Sequence, residues 1–195
     1  MLDVKTLGYA MREGHFEIEP RFHASKALLC SSIFRDYMVL EHAARDILEH
    51  FGVPSRLRPD VLAGATACGA TMASFAAAYL ASVGIEDAKL IRRPDSTLSA
   101  EYAHSIRGAA CLVLAEHALE RDAIAGLSRA IQEGGGAVMG VGLLCDRRDV
   151  KAKVEGLETY AAFDLSGLGV NVDLDQGDCP LCGRGVPLTV NVRVI

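Results

Sequence analysis

Three apolar runs constrain this chain more than any other feature. "VLAGA" (61–65), "ACLVLA" (110–115) and "AVMGVGLLCD" (137–146) each read as a buried strand. A stretch rich in small residues after the first run predicts a helix at about 70–83, and "DAIAGLSRAIQEGG" after the second predicts another. "AKLIRR" (88–93) reads as a further short strand. Strands that alternate with helices pair in parallel, because each helix carries the chain back across a face of the sheet. The expected fold class is therefore α/β, a mostly parallel central sheet flanked by helices on both faces. Ligands in such sheets bind beyond the carboxyl ends of the strands. The loops to inspect follow Ala65, Ile91, Ala115 and Cys145.

Around this core, residues 3–13 and 35–51 read as helices. In the second, Tyr37, Leu40, His42, Ala44, Ile47, Leu48 and Phe51 form a broad apolar face, and Gly52 sits at the stop. "PDSTLSAEYAHSIRG" (94–108) reads as an exposed loop. The 195 residues suffice for one domain, with an N-terminal segment at 1–35, the sheet core at 60–165 and a tail at 166–195. Val61 to Gly84 carries no charge over about the length a bilayer requires. Its Ala, Gly, Ser and Thr content makes insertion weak, and a strand, a loop and a buried helix account for it better. The start lacks an apolar signal core, so a cytoplasmic protein without a membrane partner is expected. A net charge of -5, 6% aromatic residues and no Trp argue against nucleic acid as a partner.

Four segments hold candidate chemistry. "GATACGAT" (64–71) leads from a strand into a helix, so its backbone N–H groups and the helix dipole suit an anion. Gly64 and Gly69 serve equally well for tight strand–helix packing, and Ala70 stands where a P-loop lysine would be. "REGHFEIEPRFHASKALL" (12–29) gathers His15, Arg21, His23, Ser25 and Lys26 in a non-helical stretch. Two histidines eight apart, without acids at ligand spacing, make a poor metal site. "DCPLCGRG" (178–185) holds one C-x2-C, Cys179 and Cys182, with no second pair at the usual spacing. It reads as a tight turn with two thiols, a redox pair, or half of a metal site completed in a dimer. "AEHALERDA" (115–123) places Glu116 at the end of a strand and then supplies acids suited to a helix start.

Together these segments resemble the type I phosphoribosyltransferases, and among them the orotate phosphoribosyltransferases, from about Gly14 to Leu188. Gly14-His15-Phe16, Ile18, His23 and Ser25 follow the family's N-terminal hood segment, with Pro20 and Arg21 in place of its usual Ser-Gly pair. "GATACGA" is similar to its pyrophosphate-binding loop, and Arg92-Arg93 to the basic pair facing pyrophosphate. "GGGAVMGVGLLCDRR" resembles a later strand, and "CPLCGRGVPL" a tail seen in many members. The family's central strand ends in two acids and a small-residue turn that grips the 5-phosphate of phosphoribosyl pyrophosphate (PRPP). Here Ala115 and Glu116 replace the acids, and Leu119 to Ala123 replace the turn.

The resemblance implies a homodimeric enzyme that transfers phosphoribosyl from PRPP to a pyrimidine-like base with Mg²⁺, in pyrimidine metabolism. Glu116 would hold ribose or metal, and His104 would be the loop's cationic candidate beside Arg107. Gly64, Thr66, Gly69, Thr71, Arg92 and Arg93 would hold pyrophosphate. Lys26 and Arg21 would face the base, and Arg121 the 5-phosphate. The departures at 115–123, and a 94–108 segment without lysine, imply the alternative of a catalytically silent homologue. Such a homologue would bind a nucleotide or phosphate anion in a regulatory or scaffold role.

Overall fold

The computed structural model describes residues 3–19, 22–53, 58–85, 88–92, 100–118, 120–146, 156–168, 174–175 and 179–189. Arg21, Arg93 and Leu119 lie outside the described residues, as does the side chain of Arg92.

A 3₁₀ helix, Val4–Ala10, opens the chain and runs into strand β1 (Met11–Glu19) and its partner β2 (Phe22–Leu28). Helices α1 (Cys30–Ile33) and α2 (Tyr37–His50) follow, then β3 (Val61–Gly64), α3 (Ala67–Ser82) and β4 (Lys89–Arg92). Next come α4 (Ala100–Ile106), β5 (Ala110–Ala115), α5 (Arg121–Glu133), β6 (Ala137–Asp146) and β7 (Thr159–Asp164). A 3₁₀ turn, Leu165–Leu168, leads to β8 (Leu174–Asp175) and α6 (Pro180–Gly183).

The chain divides into two compact units. The first spans Met38–Asp164 and holds a five-stranded sheet in the order β4-β3-β5-β6-β7, every pairing parallel. The strand order reverses between β3 and β5. That switch point opens a crevice at the carboxyl ends of the two strands.

One face of the sheet carries Val61, Ala63, Cys111, Val113, Val141 and Leu143, buried beneath Ile124, Leu127 and Ile131 of α5. The other face receives α2. Gly142 and Gly140 leave the space there that the Ile47 and Phe51 side chains fill, so the small residues of "GVG" are a seat for a helix. Tyr160 of β7 fixes the end of α2 through its hydroxyl, which donates to Asp46 Oδ2 at 2.7 Å. Its ring stacks on His50 with centroids 3.9 Å apart. Among the described residues, no helix is long and apolar enough to cross a membrane.

The second unit joins the two ends of the chain, Asp3–Tyr37 and Leu165–Ile195. β1 and β2 form an antiparallel hairpin, and β8 adds to β2. Thr189 bridges to Phe16 in parallel: its N–H donates to the His15 carbonyl at 2.7 Å, and its carbonyl accepts Glu17 N–H at 3.2 Å.

Three sequence expectations are corrected. The helix expected at 3–13 is a 3₁₀ helix that starts under an Asp3 cap, which accepts Lys5 N–H, and stops at Ala10, because the chain from Met11 pairs with β2. The loop expected at 94–108 contains α4, whose Ile106 is fully buried against the sheet's core. The helix expected at about 70–83 starts at Ala67, since Thr66 caps it with its hydroxyl oxygen accepting Gly69 N–H at 3.1 Å.

Candidate functional site

The crevice at the switch point is built from the loops after β3 and β5. Gly64 ends β3, and a Cβ there would overlap the backbone of Gly69 and Ala70. A Cβ on Gly69 would in turn overlap the Leu114 carbonyl oxygen of β5. The two glycines therefore let the first turn of α3 lie directly on two strand ends. The close approach shows the tight-packing role of both glycines. The helix starts at once, with Thr66 at its cap and Thr71 turned back to donate to the Ala67 carbonyl at 3.1 Å.

Across the crevice, β5 ends at Ala115 and Glu116 follows with no exposed surface. The Glu116 backbone is fixed on both sides. Its carbonyl accepts Cys145 N–H of β6 at 3.0 Å, and its N–H donates to Glu120 Oε2 at 3.1 Å. The same oxygen accepts the Thr66 hydroxyl at 3.3 Å. A single carboxylate thus takes two donors, one from each loop, at a strand-end turn suited to an anion. Glu116, His117 and Glu120 each bring a ligand atom within 4.8 Å of the others. The two carboxylates suit a hard cation such as Mg²⁺, which prefers oxygen donors, and the imidazole does not.

Burial pushes the Cys145 thiol well above its usual value, and the nearby Glu116 carboxylate adds to the effect. That thiol is no nucleophile. Arg121 is exposed at the first position of α5, and His104 is exposed in the last turn of α4. Lys26 pairs with Glu13 across the β1–β2 hairpin at 3.4 Å, the lysine half-buried and the glutamate largely in solvent. In the first unit the structure joins Thr66, Gly64 and Gly69 to Glu116, and adds Glu120, which the sequence offered only as a helix-start acid.

The second unit brings together residues that the sequence kept apart. His15 of β1, His23 of β2, Cys179 and Cys182 converge, their ligand atoms all within 4.8 Å of one another. The two half-sites that each looked incomplete are one four-residue set. His15 and His23 are 2% and 1% exposed, and Cys179 is 4% exposed. Burial acts to raise the Cys179 thiol, but hydrogen bonds from the Cys182 and Leu181 backbone N–H groups outweigh it and hold the thiol below its usual value.

No family model matches the chain. It is 26% identical over 192 residues to the orotate phosphoribosyltransferase of Desulforamulus reducens, covering 96% of this chain and 92% of that protein. The orotate phosphoribosyltransferase of Caldanaerobacter subterraneus subsp. tengcongensis is 26% identical over 180 residues, covering 91% and 88%. Among solved structures, Mycobacterium tuberculosis orotate phosphoribosyltransferase in complex with Fe(III) dicitrate superposes with a TM-score of 0.62 at 15% identity. That match covers 85% of this chain and 96% of the other.

Proposed function

We propose that this chain, an orotate phosphoribosyltransferase-like protein built on the type I phosphoribosyltransferase fold, transfers phosphoribosyl from PRPP to a pyrimidine-like base. The observation that supports this reading is the coincidence of two features. Relatives bearing that name match nearly the whole chain, and the acidic pair Glu116 and Glu120 stands at the sheet's switch point. In this reading Glu116 holds the ribose hydroxyls or a Mg²⁺ ion, which would neutralise phosphate charge. Glu120 turns outward so that the Thr66 hydroxyl and the Glu116 N–H receive phosphate oxygens. Arg92, Arg93 and Arg121 supply positive charge, Lys26 and Arg21 face the base, and His104 serves the leaving pyrophosphate. Catalysis rests on positioning and charge stabilisation as the glycosidic carbon becomes cationic. A cytoplasmic homodimer acting in pyrimidine metabolism accords with this reading.

A second reading is a catalytically silent homologue that binds a nucleotide or phosphate anion in a regulatory or scaffold role. One observation favours it: the Glu120 carboxylate already takes the donors from both loops. An incoming phosphate would meet that charge. At about 5 Å and an effective dielectric near 20, one unit pair costs roughly 3 kcal/mol before screening.

Calorimetric titration with PRPP and Mg²⁺, followed by orotate or orotidine monophosphate, separates the two. Binding that disappears in Glu116→Ala, with product formed from orotate, supports transfer. Ligand binding without turnover supports the silent homologue. Absence of any binding at millimolar PRPP overturns transfer.

A further inference from the structure

We propose that His15, His23, Cys179 and Cys182 bind one zinc ion, and that this ion fastens the C-terminal tail to the N-terminal hairpin. The two imidazole nitrogens, His15 Nε2 and His23 Nδ1, lie 3.0 Å apart. Cys179 Sγ is 3.5 Å from His15 Nε2, and Cys182 Sγ is 3.6 Å from the same nitrogen and 3.2 Å from His23 Nδ1. Zinc bonds of about 2.0–2.1 Å to nitrogen and 2.3 Å to sulfur, set tetrahedrally, place such donors roughly 3.3–3.8 Å apart. The four measured separations fall within a few tenths of an ångström of those edges.

The surroundings orient the donors as a metal site requires. His15 Nδ1 lies 2.8 Å from the Val186 carbonyl. A proton on that nitrogen donates to the carbonyl and leaves Nε2 with its lone pair facing the cluster. Cys179 caps α6 and Cys182 lies within it, so one short turn presents both sulfurs. Two sulfurs and two nitrogens in tetrahedral array select zinc over hard, oxygen-seeking cations. Four protein ligands leave no open position for substrate, so the ion is structural. The ligands join segments 164 positions apart in sequence, in a unit whose large buried apolar side chains, among the described residues, are Leu7, Phe16, Leu28, Ile33 and Leu165. A small core of this kind gains most from a metal staple. None of this depends on PRPP binding, so the two proposals fail separately.

Elemental analysis of the full chain, purified under reducing conditions from zinc-supplemented cells, should find one zinc per chain. Cobalt substitution should give the visible bands of a tetrahedral thiolate site. Cys182→Ser should lose the metal, Cys182→His should retain it with a shifted cobalt spectrum, and Cys68→Ser should change neither. If Cys182→Ser fails to fold, the wild-type and Cys182→His measurements still decide the matter. Reduced wild-type protein that takes up neither zinc nor cobalt overturns the proposal. So does a Cys179–Cys182 disulfide in metal-free protein isolated without reductant.

Discussion

Thr66 and Glu120 stand on the loops after two neighbouring parallel strands, and the Thr66 hydroxyl donates to Glu120 Oε2 at 3.3 Å. The same carboxylate takes the Glu116 N–H, so an internal acid closes the mouth of the sheet's switch point. Glu120→Ala removes that charge and returns both donors to the crevice. Calorimetry should then show inorganic phosphate or PRPP binding tightened by about tenfold or more, from the loss of like-charge repulsion. Unchanged affinity would mean that the Glu120 carboxylate does not compete with the bound anion.

Gly69→Ala should destabilise the protein although alanine is the better helix former. Helix propensity favours alanine by about 1 kcal/mol. The new Cβ, however, would overlap the Leu114 carbonyl oxygen, a backbone atom of the central strand that has nowhere to move. A net loss of roughly 1–3 kcal/mol in urea unfolding is expected.

Tyr160→Phe deletes the hydroxyl that reaches Asp46 but keeps the ring stacked on His50. A loss of about 1 kcal/mol follows for one hydrogen bond. In a protein of this size that lowers Tm by about 2–4 °C in a thermal melt. Tyr160→Ala, which also removes the stack, should cost clearly more.

Thiol labelling should be selective. Burial, with a contribution from Asp60, pushes the Cys111 thiol up to about 11, and burial pushes Cys145 well above its usual value. Folded protein at pH 8 should therefore alkylate at half-buried Cys68 well before either of them, as read by peptide mass mapping. The same shift has a consequence for stability. Unfolded thiols ionise near pH 9.0 while folded Cys111 keeps its proton to about 11, so stability should fall as pH rises through that window.

The sheet was legible because its strands are apolar runs of full length. "ACLVLA" and "AVMGVGLLCD" became β5 and β6 with the bounds the sequence suggested. β7 carried no such signal: its interior is Ala161-Ala162-Phe163, too short and too uniform to show a period, and only its place beside β6 makes it a strand. Glu116 was legible from its position after a strand. Glu120 was not, because an acid before a helix is ordinary, and only the fold reveals that its carboxylate reaches back to the turn it follows. The four-residue cluster was hidden for a different reason. Metal motifs are recognised by local spacing, and here each half lies at one end of the chain.

The bridge between Phe16 and Thr189 also sets an order of events during synthesis. β1 and β2 leave the ribosome before the parallel sheet, yet the segments that complete their own sheet and join His15 and His23 follow after it. The intervening parallel sheet has its own core and can close while the hairpin waits. Residues made before the sheet then reach their partners after it, and a late step of folding joins segments on either side of it.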